Sequence, residues 1–439
     1  MSGLTRRGLM LATSSMAATA LIARATPGLA APSLSSNPDL EAARVPAANA
    51  WLEISRSAFR GNLGTMRAFL DDNGSRNTEI CVVLKADAYG HGISILVKEV
   101  AEFGKLHIGF AANEEARVVR AFGREAGGRP FAGRLIRLRT ATIEEIREGI
   151  DRGYEIEELI GNLELAQQAS AYAVSKGKTI ATHICLNSGG MSRNGLELSS
   201  DQGMNDLEAI TKLPNLDIVA MMTHFPVESD DDVAAHLVVF KAQTRSVFAR
   251  KWLDEEKVKL HTANSYTTLR VKDAHLDMVR VGGAFCGDTA ETDFNNRPTA
   301  FKRPMTFKSR VASINFYRQG DTVSYDRTRT LTRDSFLANI PVGYSDGYRR
   351  DFSNLAYVLI NGHRVPIVGR VTMNTTMVDV TDYVADTIKD RIRLGDEVVL
   401  FGKDHGDEIR QGELESSSDT IGAEFMTVLG ELNPRIAVA

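Results

Sequence analysis

The first residue in the sequence that suggests covalent chemistry is a lysine at the end of an apolar run. Residues 82 to 92 read VVLKADAYGHG, so Lys85 ends the run and Tyr89 follows shortly after it. A lysine amine at the end of a buried strand can bind an anion or form a Schiff base with a carbonyl compound. Alternatively, Lys85 marks the point where the strand reaches solvent. That interpretation explains Lys85 but not the residues that follow it. The Schiff base requires a carbonyl cofactor or substrate nearby, with groups for any phosphate it carries.

Polar residues and glycines also end several other apolar runs. These residues are Asn187, His224, Asn264, Ser265, Arg280, Gly282 and Gly283. The hydroxyls of Tyr89 and Ser265 suit phosphate oxygens, and a glycine pair lets backbone N–H groups approach an anion closely. Each signal is weak alone, because a glycine pair usually marks a turn and a histidine at a strand end is usually a satisfied rim residue.

The elements that must position these residues are read from eight β-like runs that alternate with helical segments. The runs are EICVVL (79–84), HIGFA (107–111), RLIRLR (134–139), EELIGN (157–162), TIATHICLN (179–187), DIVAMMTHF (217–225), KLHTANS (259–265) and DMVRVGG (277–283). Between them, apolar residues recur every three or four positions. This alternation predicts a (β/α)₈ barrel over residues 49–300, with chemistry at the C-terminal ends of its strands.

The two ends of the chain differ in sequence pattern from the predicted barrel. Residues 301–439 contain short alternating strands and turn signals, which predict a mostly β C-terminal domain.

Residues 1–31 carry paired arginines, a weakly apolar stretch and small residues at a cleavage site, before a polar linker at 32–48. We expect a twin-arginine export signal and a periplasmic mature protein. A mitochondrial presequence is the alternative, disfavoured because the arginines cluster at the start.

Composition favours a small-molecule function. The 439 residues are 43% hydrophobic and 25% charged, with a net charge of −4, so no basic surface for nucleic acid is indicated. The three cysteines, Cys81, Cys185 and Cys286, lack metal-site spacing and are odd in number. We expect buried thiols and no metal site.

Seven segments together carry a family resemblance. They are VVLKADAYGHG, GMSRNG, THF, ANS, VRVGG, VGYSDGYRR and GRVTMN. In this order, from about residue 50 to residue 380 and weakly beyond, they resemble alanine racemases and the related broad-specificity amino-acid racemases. That family uses pyridoxal 5′-phosphate on a barrel followed by a β domain. The lysine and GYSDG motifs are the most specific of the seven.

The resemblance implies a role for each candidate residue. Lys85 would bind the cofactor covalently, and His224 would lie near its ring. The implied phosphate contacts are Tyr89, Ser265, Gly282 and Gly283, and Asn264 is implied as a further cofactor-binding residue. Arg280 would face the pyridine nitrogen, and because a guanidinium accepts no proton it would leave that nitrogen unprotonated. A less delocalised carbanion is reprotonated at Cα before side reactions intervene, which suits racemisation.

Racemisation needs a base on each face of the planar carbanion. By resemblance these bases are Lys85 and Tyr344, the latter from the second subunit of a homodimer. Tyrosine is a weak base near neutral pH unless a positive charge lowers its pKa, and Arg193 is the resembling candidate. Met373 and Asn374 resemble the loop that binds the substrate carboxylate.

Several positions depart from the alanine racemase pattern. Asn374 replaces an aspartate, and Ala423 and Cys286 each replace a tyrosine. Before Arg193, where a lysine and an aspartate are usual, the chain has Leu186, Asn187 and Ser188. A wider pocket follows from the loss of the ring at Ala423, so we expect lysine, arginine and neutral amino acids as substrates.

The alternatives are a strict alanine racemase, a pyridoxal-dependent decarboxylase of basic amino acids, and a non-catalytic carrier or sensor. The decarboxylase would need a cysteine-aspartate pair that is not evident, and a carrier built on a barrel alone would lack the domain of Tyr344.

Overall fold

Eight parallel strands form a nearly closed barrel, which confirms the predicted fold class. The computed structural model describes residues 47–124, 128–288, 301–385 and 387–439. After a first strand, β1 (Ala50–Ser55), the barrel strands are β2 (Glu79–Val83), β3 (Leu106–Phe110), β4 (Leu135–Arg137), β5 (Ile156–Ile160), β6 (Ile180–Cys185), β7 (Leu216–Met222), β8 (Lys259–His261) and β9 (Met278–Val281). Strands β2 to β8 pair in chain order, and β9 pairs with β2. Backbone hydrogen bonds from Asp277 to Leu260 (3.0 Å) and from Arg280 to Ala263 (2.9 Å) join β9 to the segment of β8.

Helices cover the outside of the barrel. In the described residues the right-handed α-helices are α1 (Arg56–Asp72), α2 (Ile93–Phe103), α3 (Asn113–Phe122), α4 (Ile143–Arg152), α5 (Leu163–Lys176), α6 (Asp201–Thr211), α7 (Asp230–Ala249), α8 (Ser265–Arg270), α9 (Gln411–Ser416) and α10 (Gly422–Leu432). Their starts follow the sequence, since Ser55, Thr142 and Asn162 each accept a hydrogen bond from a first-turn N–H. None of these helices is long and apolar enough to cross a membrane.

The C-terminal domain is mostly β, as the alternation after residue 301 predicts. Its strands are β10 (Met305–Arg310), β11 (Ser313–Tyr317), β12 (Thr322–Val323), β13 (Arg329–Thr330), β14 (Ser335–Ile340), β15 (Tyr357–Ile360), β16 (His363–Pro366), β17 (Thr376–Asp379), β18 (Glu397–Asp404), β19 (Asp407–Ile409) and β20 (Arg435–Val438). The main sheet has the order β16-β15-β18-β10-β1-β20, with β19 beside β18. Smaller sheets join β11, β14 and β17, and β12 with β13.

The first described strand belongs to this C-terminal sheet. β1 pairs antiparallel with β10 and parallel with β20, although the predicted barrel domain began at residue 49. A strand of six residues carries no signal for a partner more than 250 positions away. The predicted export signal at 1–31, and the linker before residue 47, lie outside the described residues.

A left-handed helical turn follows β2 and sets the direction of the Lys85 loop. The four residues from 86 to 89 have φ between 51° and 58° without any glycine. This conformation costs about 1–2 kcal/mol for each residue, so other contacts must hold it. The Asp87 carboxylate accepts from Ile93 N at 2.7 Å and pairs with Arg435 at 2.5 Å, while Glu115 accepts from Asp87 N at 3.3 Å.

The left-handed turn rests directly on helix α10 of the C-terminal domain. Gly90 has φ of +79°, and a Cβ added there would lie 2.1 Å from the Met426 carbonyl oxygen. A Cβ on Gly430 would likewise lie 2.1 Å from the Gly90 oxygen. Because neither backbone leaves room for a side chain, this crossing fixes the Lys85 loop against α10.

Gly90→Ala should therefore lower the free energy of unfolding by roughly 2–4 kcal/mol, from the positive φ and the clash with α10. The measurement is urea denaturation followed by circular dichroism. Gly61→Ala is the control, because Gly61 lies in α1 with nothing near its added Cβ, and it should stabilise by up to about 1 kcal/mol. Equal stability of the Gly90→Ala variant and the unmodified protein would contradict this account of the crossing.

Candidate active site

A cavity opens at the C-terminal ends of the barrel strands, where the βα loops meet. Its empty volume is about 780 Å³, including space open to solvent. Nine of the polar residues and glycines singled out from the sequence line it: Lys85, Tyr89, Asn187, Arg193, His224, Asn264, Ser265, Arg280 and Gly282. The structure thus brings polar residues from several strand ends together around one cavity.

Lys85 presents its amine to this cavity. The side chain is exposed within the cavity, and its Nζ lies 5.8 Å from the centre of the Tyr89 ring. The surrounding protein lowers the pKa of the amine, chiefly by desolvation and then by repulsion from Arg193 and Arg280, against an opposing effect of Glu115. A lowered pKa raises the fraction of neutral amine, the form that attacks a carbonyl carbon.

Arg280 is the buried cation of the site. Its Nη2 donates to the carbonyls of Thr223 (2.9 Å) and Thr262 (3.0 Å), and its Nη1 donates to His261 Nδ1 (2.9 Å). Within the described part of the chain, none of its hydrogen-bond partners is a carboxylate. Burial lowers the pKa of Arg280 to about 10, so the guanidinium keeps its charge at neutral pH.

His224 is held as a neutral acceptor beside this cation. Arg280 Nη2 also lies 3.3 Å from His224 Nδ1 and can share with it one of the two hydrogens that it donates to the carbonyls, so that nitrogen accepts and carries no proton. Burial, followed by repulsion from Arg280, Arg193 and Lys85, lowers the pKa of His224 to about 3. The imidazole therefore presents an uncharged ring to the cavity.

An anion cradle lies between Tyr89 and the start of helix α8. A Cβ on Gly282 would lie 2.5 Å from the Tyr89 hydroxyl, so only glycine permits this approach. The N–H groups of Gly282 and Ala284 both donate to Ser265 Oγ at 3.2 Å. Burial raises the pKa of Tyr89, so its hydroxyl keeps its proton and remains a donor. The oxygen of Asn264 caps α8 by accepting from the N–H at position 267, at 2.9 Å.

The loop around Arg193 closes another side of the cavity. Arg193 donates to Asn194 at 3.0 Å, and Asn187 donates to Glu197 at 2.8 Å. Leu186, at the usual position of a family lysine, is 1% exposed and packs in the apolar cluster between barrel and helices. No charge therefore replaces the lysine at that position.

Three predicted residues lie elsewhere in the same chain. Tyr344, Met373 and Asn374 are not among the residues that line the barrel cavity. They form a second group, since Tyr344 N donates to Thr372 O at 3.0 Å and Asn374 donates to Ser345 at 2.7 Å. The side chains of Tyr344 and Met373 are 45% and 55% exposed. Gly283, beside Gly282, also lies outside the lining and packs against Asp288.

Sequence reasoning missed the polar side chains inside the barrel. Glu157, His183 and His261 occur singly in strand-like runs, and only their inward positions in the strands distinguish them from surface residues.

The three cysteines are buried and free, as expected, and burial raises the pKa of Cys185 to about 11. Within the described ranges, no group of three or more histidine, cysteine or acidic side chains is arranged to hold a metal.

Comparison with known proteins agrees with this geometry. The family model "Alanine racemase, N-terminal domain" matches residues 54–290, and "Alanine racemase, C-terminal domain" matches residues 304–437. The chain is 49% identical over 410 residues to a broad specificity amino-acid racemase of Pseudomonas taetrolens, covering 93% of this chain and 94% of the relative. It is 44% identical to a lysine racemase of Proteus mirabilis, with 89% and 90% covered.

A solved structure shows the same architecture. Alanine racemase from Bartonella henselae with covalently bound pyridoxal phosphate superimposes with a TM-score of 0.74 at 26% identity, covering 89% of this chain and 100% of that one. The family model and the relatives thus identify the chain as an amino-acid racemase. The chain belongs to the alanine racemase family.

Proposed function

We propose that the protein racemises free amino acids with pyridoxal 5′-phosphate, accepting lysine, arginine and several neutral amino acids. The observation that carries this proposal is the Lys85 amine, whose pKa is lowered in the cavity that also holds the buried Arg280. The family implies the cofactor, and the structure of the Bartonella henselae relative contains it. A lysine for the aldehyde, an arginine as partner of the pyridine nitrogen and polar groups for the phosphate are suited to this cofactor.

The residues of the cavity fit the cofactor group by group. Lys85 would bond to its aldehyde carbon, and the cradle of Tyr89, Ser265 and Gly282 would take its phosphate. His224 would lie near the ring, and Arg280 would donate to the pyridine nitrogen without protonating it. When bound, pyridoxal phosphate acidifies the substrate Cα–H by withdrawing electrons from that carbon.

The protein supplies the groups that move the proton. Lys85 Nζ would take or return it on one face of Cα, and Tyr344 Oη of the partner subunit would do so on the other face. In its own chain, Tyr344 lies apart from the barrel cavity and is largely exposed. This placement supports a homodimer in which each cavity is completed by the partner's Tyr344. Arg193 would favour the ionised phenol by its positive charge.

Broad specificity is supported by two departures from the alanine racemase pattern and by the relatives' names. Ala423, at the start of α10, replaces a bulky tyrosine, and Asn374 replaces a charged aspartate. Two relatives that cover most of the chain carry the names broad specificity amino-acid racemase and lysine racemase. The leader at 1–31 supports a periplasmic site of action after twin-arginine export.

Lys85→Ala should abolish covalent cofactor binding because it removes the amine. The unmodified protein should gain the visible absorbance of pyridoxal phosphate bonded to a lysine, and the variant should not. Lys212→Ala is the control, since Lys212 lies on the surface and pairs with Glu208 one helical turn earlier. A variant that lacks Lys85 and still shows the band would rule out the assignment.

Tyr344→Phe should slow proton exchange about a hundredfold or more from one enantiomer, and much less from the other, since it removes one of two bases. The measurement is exchange of Cα–H for deuterium, started separately from the L and the D form. Tyr357→Phe, which changes an exposed tyrosine on β15, should leave both rates unchanged. Equal losses for both enantiomers would refute the two-base assignment.

Substrate breadth is tested with L-alanine, L-lysine and L-arginine. We expect kcat/KM values for the three within about a hundredfold of one another, the range that a modest change of pocket size produces. Ala423→Tyr should reduce activity on lysine and arginine more than on alanine, whereas Ala423→Ser, a size-matched control, should not. Activity restricted to alanine in the unmodified enzyme would identify a strict alanine racemase instead.

A further inference from the structure

A chain of hydrogen bonds runs through the barrel interior from the active site towards the opposite end. Arg280 Nη1 lies 2.9 Å from His261 Nδ1, and His261 Nε2 lies 2.9 Å from His183 Nδ1. His183 Nε2 then lies 2.7 Å from the Glu157 carboxylate. Glu157 is the second residue of β5, near the N-terminal end of the barrel. The chain therefore links the cavity to the far side of the barrel.

The two ends of this chain fix the direction of every bond in it. Arg280 can only donate, so His261 Nδ1 must accept and His261 must carry its proton on Nε2. That proton is donated to His183 Nδ1, and the proton on His183 Nε2 is donated to Glu157. A carboxylate can only accept. Both imidazoles are thus neutral, with the proton on Nε2, and no other tautomer satisfies all three bonds.

Because the two histidines are buried, any other arrangement of their protons would cost free energy. His183 and His261 are both 0% exposed, so a broken bond would leave a polar group without water. Burial lowers the pKa of both imidazoles, and the charge of Arg280 lowers that of His261 further. Protonating either ring would also break a bond, because a doubly protonated imidazole has no acceptor nitrogen left.

Glu157 is the carboxylate to which the buried Arg280 is connected. The direct partners of Arg280 are neutral carbonyls and imidazoles, so its countercharge lies two imidazoles away along the chain. Arg134 lies 3.6 Å from Glu157 through its Nη1 and pairs with Glu79 through its Nη2, which ties this end to the bottom of the barrel. The negative end polarises each bond in turn and makes His261 Nδ1 a stronger acceptor for Arg280.

We propose that Glu157 and His183 are positioning residues that hold Arg280 as a fixed donor at the cofactor site, through a hydrogen-bond chain of a single direction. The consequence for catalysis rests on the proposed function, since it assumes that Arg280 faces the cofactor. The direction of the chain does not rest on it. Arg280 is then oriented by the barrel itself before any cofactor is present.

Nitrogen NMR of the cofactor-free protein, labelled with ¹⁵N-histidine, tests the direction of the chain without requiring any activity. His183→Gln and His261→Gln assign the two signals by their loss. We expect both rings to be singly protonated at neutral pH, with the proton on Nε2. A proton on Nδ1 of either ring, or two protons on either ring, would overturn the proposal. A failure of the racemase assignment would leave this result unchanged.

Glu157→Gln tests the effect of the charge, because the amide oxygen still accepts from His183. The signals of His183 and His261 should both shift, and the dissociation constant for pyridoxal phosphate should rise about two- to tenfold, the worth of one hydrogen bond. Glu158→Gln is the matched control, since the adjacent Glu158 is buried and binds Arg137 instead of the chain. It should leave both histidine signals in place. An unchanged His261 signal or cofactor affinity in Glu157→Gln would overturn the positioning role.

Discussion

The active site depends on a guanidinium buried in the barrel without a carboxylate in contact. A buried charge usually carries a large desolvation penalty, which a direct ion pair offsets only with good geometry. Here the charge of Arg280 is met by two carbonyl oxygens and two imidazole nitrogens. All four are neutral acceptors. They satisfy hydrogen-bond donors of the guanidinium, but they do not cancel its positive charge. Burial is the main cause that lowers the pKa of His224 and of Lys85, and the field of Arg280, which remains available to the cavity, adds to it.

The second constraint is the strained turn that carries Lys85 and Tyr89. Four consecutive left-handed residues are unfavourable for L-amino acids, so the turn persists only because distant groups hold it. Arg435, in the last strand, pairs with Asp87, and helix α10 leaves no space at Gly90. The C-terminal domain thus stabilises the loop of the barrel lysine. Barrel and β domain are coupled within one subunit before any partner is considered.

The sequence predicted the barrel well because parallel strands buried on both faces appear as short apolar runs between amphipathic helices. Lys85, His224 and Arg280 were found because a polar residue at the end of such a run is unusual. The left-handed turn was not predictable, since ADAY contains no glycine and its conformation is imposed by Arg435 and Glu115. The barrel histidines were missed for a related reason. Each stands alone within its run, and only the folded barrel brings His183 beside His261.

The separation of Tyr344 from the cavity explains why the family motifs lie in two distant parts of the chain. The loops that carry Tyr344 and Met373 are joined by backbone hydrogen bonds, which place their side chains on one exposed surface. In the proposed homodimer, Tyr344 would come from a domain surface separate from the barrel, which would leave the cavity open for entry and place the second base opposite Lys85. The interior hydrogen-bond chain then has a complementary role, because it fixes the cation of the barrel half-site independently of that assembly.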